Sequence, residues 1–106
     1  MENLKKIKVR IKNDEEFKKI QKKVFEKNGA WQSGKKYILK LNDFGDLNFF
    51  GLVIDYGNYD LKNVKFGLNI SYIDIEEEFN ELDAIELTFE EIMKIENLKD
   101  YILNEN

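Results

Sequence analysis

Residues 47–56 read LNFFGLVIDY, and the run is apolar in both of its two-residue registers: Phe49 and Val53 fall on one side, Phe50, Leu52, Ile54 and Tyr56 on the other. A strand of this kind must be covered on both faces, so it belongs in the middle of a sheet. Every other segment has to be arranged around it. With 106 residues the chain is expected to form one domain, residues 1–106, with one core.

The flanking segments supply the rest of a sheet and its covering. Residues 4–12 alternate, with Ile7, Val9 and Ile11 on one face and Lys6, Lys8, Arg10 and Lys12 on the other, which predicts a strand with one core face and one basic face. Asn13 is placed as an N-cap, and Asp14, Glu15 and Glu16 put negative charge at the start of a helix. Phe17, Ile20, Val24 and Phe25 form its apolar stripe, and Asn28-Gly29 provides a left-handed stop. Trp31 follows as a packing residue, Gln32-Ser33-Gly34 reads as a turn, and Tyr37, Leu39 and Leu41 alternate with Lys36 and Lys40 as a second strand would.

After the central strand, Gly57-Asn58-Tyr59-Asp60 is expected to turn the chain into a strand carrying Val64, Phe66, Leu68, Ile70 and Tyr72 on its buried face. Residues 74–83 read as irregular or a short helix anchored by Ile75, Phe79 and Leu82. A short strand at Ile85-Glu86-Leu87 precedes a Thr88/Glu91 capping box and a closing helix with Ile92, Ile95, Leu98 and Ile102 inward. The expected order is β-α-β-β-β-(β)-α, an α+β fold with a largely antiparallel sheet.

The chain has no Cys, His or Pro, which removes disulfides, thiolate nucleophiles, imidazole bases and Cys/His metal sites. No cofactor is expected. Asp43, Asp46, Asp55 and Asp60 are the acids available for metal-assisted or paired-carboxylate chemistry, but their spacing fits no ligand pattern, and turn formation explains them better. No glycine cluster precedes a helix as a phosphate loop requires. The strand with Phe66 and Tyr72 lacks the order of an RNA-stacking strand, and Asn69-Ile70-Ser71 is a glycosylation sequon only in form. No apolar run approaches the ~20 residues that span a bilayer and no signal peptide is visible, so a cytoplasmic location is expected.

Charge is divided along the chain. Residues 1–40 carry 13 Lys/Arg against 5 Asp/Glu, whereas the remainder carries 4 against 16, for a net charge of −4. Asp74, Glu76, Glu77, Glu78, Glu81, Asp83, Glu86, Glu90 and Glu91 place nine carboxylates in eighteen residues with no Lys or Arg among them. Local stability does not require such self-repulsion, and a cationic groove built for nucleic acid would attract it. The plainer explanation is a solvated surface whose glutamates serve helix dipoles.

The run Lys6-Ile7-Lys8-Val9-Arg10-Ile11-Lys12-Asn13, then Glu15-Glu16-Phe17, Gln21, Phe25 and Gly29-Ala30-Trp31, resembles small phage and prophage accessory proteins of low-GC bacteria. The ending Leu87-Thr88-Phe89-Glu90-Glu91 is similar to their closing segment. The matching residues are structural, covering the first third and last fifth of the chain, and bring no catalytic group with them. The resemblance implies a mobile-element protein working in a bacterial host cell, often against defence, as anti-CRISPR proteins do. The resulting expectation is a non-enzymatic inhibitor or modulator that binds a host defence nuclease or other nucleic-acid enzyme through the nine acidic residues. The alternative is a nucleic-acid-binding module using Lys6, Lys8, Arg10 and Lys12.

Overall fold

A computed structural model describes residues 5–59 and 65–103. The fold is α+β. A five-stranded sheet runs in the order β2-β4-β3-β1-β5, formed by β1 (Ile7–Arg10), β2 (Ala30–Trp31), β3 (Gly51–Tyr59), β4 (Lys65–Ile73) and β5 (Ile85–Glu86). The doubly apolar run lies at the centre, as β3, antiparallel to both β1 and β4. The two outer strands are parallel to their neighbours and only two residues long.

Register divides the sheet into two faces. Ile7 opposes Ile54 and Val9 opposes Leu52; Ile54 in turn opposes Ile70. These residues meet Phe17, Ile20 and Val24 of helix α1 (Asp14–Phe25), and Ile92, Leu98 and Ile102 from helices α3 (Phe89–Lys94) and α4 (Leu98–Leu103) join the same core. Each fully buried side chain of this size contributes about 1.5–3 kcal/mol of transfer free energy. The opposite face carries Lys8, Arg10, Gly51 and Val53 and is covered by helix α2 (Glu76–Glu81).

Local signals account for α1. The Asn13 side chain accepts from the Glu16 N–H at 2.9 Å, three acids fill the first turn, and Lys22 and Lys23 fill the last. Asn28 adopts φ 62°, and the Gly29 N–H returns to the Val24 carbonyl at 3.0 Å, closing the helix with a left-handed cap. Trp31 packs edge-to-face on Phe17 at 6.0 Å, closing one end of the core.

Three expectations need correction. Residues 36–41 form no strand: Gln21, buried in α1, donates from Nε2 to the Leu39 carbonyl at 2.9 Å and accepts the Leu39 N–H at 2.8 Å, so a side chain takes both backbone groups a neighbouring strand would use. A 3-10 turn at Leu41–Phe44 follows, its first N–H bonded to Asp14. The chain does not turn at residues 57–59 either, because Gly57 pairs with Gly67 and Tyr59 with Lys65, extending the ladder; the rest of the expected turn, Asp60, and Val64 beyond it lie outside the described residues. The closing helix is two helices, broken where Ile95 turns extended and Asn97 caps the second by accepting from the Asp100 N–H at 3.1 Å. Among the described residues no helix is long and apolar enough to cross a membrane.

Candidate functional site

Helix α2, with sequence EEEFNE, has little to stabilise it alone. Six residues are too few for an isolated helix, Ile75 at its N-cap offers no side-chain bond, and no basic residue occupies its last turn. Its three leading glutamates favour the N-terminal dipole. The missing cation comes from β1. Lys8 reaches across the sheet and its Nζ donates to the carbonyls of Phe79 at 2.7 Å, Asn80 at 3.3 Å and Leu82 at 3.0 Å. The three ammonium protons are matched by these three carbonyls at the helix end, of which only that of Phe79 also receives a backbone donor, the Leu82 N–H at 3.3 Å. Lys8 is only 6% exposed.

Phe79 is the apolar half of this attachment. Its fully buried ring lies 5.2 Å from that of Phe49 and over Gly51, where an added Cβ would stand 2.6 Å from the ring. The glycine that opens β3 thus marks the close approach of a helix.

Arg10, two residues from Lys8 and on the same face, completes the attachment. Its Nη1 donates to Glu76 at 2.7 Å, Nη2 to Asn80 at 2.7 Å and Nε to Glu86 at 3.0 Å. Hydrogen bonds to Glu76 and then Glu86 hold the guanidinium even more firmly protonated than usual. The same group lies 4.9 Å from the centre of the Phe79 ring and 5.4 Å from that of Phe49.

The nine acidic residues are therefore not equivalent. Glu76 and Glu86 are joined to Arg10, and Glu91 accepts the Thr88 N–H at 2.8 Å in the capping box of α3. Asp74, Glu77, Glu78, Glu81, Asp83 and Glu90 are exposed, and their carboxylates make no ion pair or hydrogen bond among the described residues. Five of these six belong to α2 and its flanks. Glu90 is set apart at the start of α3, where it shares a small cleft with Lys12, Glu16 and Glu86.

The basic strand is also divided. Lys8 is buried, Arg10 is committed to two carboxylates, Lys6 is half-buried near Asp55, and Lys12 is exposed. Lys18, Lys22 and Lys23 ride on α1 over the other face, so they do not extend this row. Sequence reasoning missed Lys8 as the cap of α2; the signals were a short acidic helix with no cation of its own and a glycine at the head of the central strand.

Of the loop-side acids, Asp43 accepts the Lys40 N–H at 2.8 Å, Asp46 is exposed, and Asp60 lies outside the described residues. Asp55 sits in β3 opposite Asn69, where burial pushes its carboxyl above the usual range against the opposing pull of Lys6 and the Asn69 hydrogen bond. Among the described residues no three acids converge as a metal site would require. Comparison with protein families, with curated proteins and with solved structures found no match.

Proposed function

We propose that this chain is a non-enzymatic binding protein of mobile-element origin, acting in the cytoplasm of a bacterial host, that uses the acidic surface around α2 to occupy the cationic groove of a nucleic-acid-handling protein. A defence nuclease is the kind of target it fits, as for an anti-CRISPR protein. The observation that carries the reading is the attachment of α2: a buried lysine, a buried phenylalanine and a bridging arginine hold a helix whose remaining carboxylates, Glu77, Glu78 and Glu81, are exposed. Asp74 and Asp83 flank them. A helix held in place before binding loses little backbone freedom on complex formation, and the field of its carboxylates speeds encounter with a basic groove. Two of the four cations that a nucleic-acid-binding module would need, Lys8 and Arg10, are occupied in this same attachment.

The test is affinity capture from a bacterial lysate with the native chain and with a Glu77→Lys, Glu78→Lys, Glu81→Lys variant, which spares Glu76 and so the bonds to Arg10. Nucleic-acid enzymes should be retained by the native chain, released by added duplex DNA, and lost with the variant. Equal capture by the variant overturns the assignment of the surface. A gel shift of the chain itself on DNA or RNA at low salt would transfer the reading to Lys6, Arg10 and Lys12.

A further inference from the structure

We propose that the edge of the sheet beside β4 is a docking groove for an extended acidic peptide, which adds to β4 as a strand. This surface is separate from the acidic one and does not depend on it.

The groove arises from the way β2 stops. Ala30 and Trp31 pair with Asn69 and Ile70, and the Gln32 N–H reaches the Ile70 carbonyl at 2.9 Å. Gly34, at φ 94°, then reverses the chain, so that the Trp31 N–H meets the Lys35 carbonyl at 2.8 Å on the outer side. Residue 34 needs glycine for that backbone. β4 runs on to Ile73 without a neighbour on this edge among the described residues. Ile70 and Tyr72 are two apart and direct their backbone groups to the same side, so the N–H and C=O of Tyr72 face outward with no backbone partner among the described residues.

Along this open rung lies a groove of about 470 Å³ lined by Trp31, Tyr37, Leu39, Phe44, Tyr72 and Lys35. Its rings are held in place rather than collapsed into it. Tyr72 stacks on Phe50 at 5.7 Å and touches Phe44 at 4.6 Å, while the Trp31 indole N–H donates to the Tyr37 carbonyl. Even so, Tyr37 is 52% and Tyr72 46% exposed. Apolar pockets beside an unpaired strand edge are what strand addition uses: the backbone supplies affinity and alternate side chains fill the pockets.

Charge selects the occupant. Residues 32–41 carry Lys35, Lys36 and Lys40 and no acid, and Lys35 stands over the Tyr37 ring at 5.6 Å. A strand with apolar residues at alternate positions and glutamate or aspartate between them matches both the rings and the lysines. The open backbone rung favours a peptide over a single-stranded nucleic acid, which would use the rings and lysines but leave Tyr72 unpaired.

The test probes the full chain with an array of hexapeptides, apolar and polar in strict alternation, whose polar positions are all Glu, all Gln or all Lys. The Glu series should be retained best and the Lys series least. On the best Glu peptide, N-methylation of the amide that meets Tyr72 should weaken binding about tenfold, the effect of one lost backbone hydrogen bond. Lys35→Glu, with an unchanged circular dichroism spectrum, should weaken it several-fold. Retention of no peptide, equal retention of all three series, or indifference to every methylation overturns the proposal. Saturable binding of oligo-dT or oligo-U that displaces the peptide overturns it in favour of nucleic acid. A concentration-dependent dimer that protects the Tyr72 amide from exchange without peptide overturns it in favour of a second copy.

Discussion

Lys8 holds Phe79 twice: its ammonium donates to the Phe79 carbonyl at 2.7 Å and lies 5.0 Å from the centre of the ring of the same residue. One side chain thus ends a helix and covers the aromatic that seats it. Replacing Lys8 with methionine keeps much of the stem but leaves the carbonyls of Asn80 and Leu82 without a donor and that of Phe79 with only the Leu82 N–H at 3.3 Å. The expected loss is about 1–3 kcal/mol in urea denaturation, with amide exchange in residues 76–82 rising before that of β3. A variant as stable as the native chain would show that the bonds are replaced by water at no cost.

Gly51→Ala tests the approach of Phe79 from the other side. The new methyl would stand 2.6 Å from the ring, so the helix must shift, at a cost of about 1–3 kcal/mol. Phe79→Leu in the same chain should recover part of that loss. A double-mutant cycle with no coupling would place the two residues out of contact.

Arg10→Gln removes the bridge from β1 to Glu76 and Glu86. Both pairs are partly exposed, so the stability change should be modest, about 1 kcal/mol, and smaller at high salt. The informative readout is binding: if a fixed α2 matters to the acidic surface, Arg10→Gln should weaken capture of the target although it makes the surface more negative.

Asp55 gives a pH signature. Burial raises its folded-state value above the ordinary 3.8, so the folded state binds its proton more tightly than the unfolded state does. The resulting stabilisation is complete below 3.8 and is lost as pH rises through the raised value. Asp55→Asn should therefore melt higher than the native chain at pH 7, with the difference shrinking as the pH falls towards 3.8. A native chain that melts higher at pH 7 would mean that Lys6 outweighs burial.

Gln21→Leu removes the side chain that takes both backbone groups of Leu39. The replacement fits the apolar surroundings but leaves those groups unpaired, so a loss of about 1–3 kcal/mol is expected. Proteolysis should cut first within residues 35–41. Unchanged protection there would show that Phe44 and Leu41 suffice to hold the segment.

What could be read from the sequence was decided by neighbours along the chain. Asn13 and Asn28-Gly29 bound α1 by contacts within four or five residues, and the two apolar registers of β3 follow from the pleat alone. Residues 36–41 alternate as a strand does, yet Gln21, eighteen positions earlier than Leu39, claims their backbone. Lys8 sits on what reads as a wet face because the helix that covers it comes 71 residues later. Periodicity describes which side of a strand a residue is on; it does not say what arrives to cover that side.

The seat for α2 is made by residues 8 and 10, near the start of the chain, and by Gly51 in its middle. During synthesis α2 therefore emerges after both of the strands that seat it, β1 and β3. Clipping the first ten residues would then erase the helix at residue 76 as surely as mutating it, tying the far end of the molecule to the integrity of its beginning.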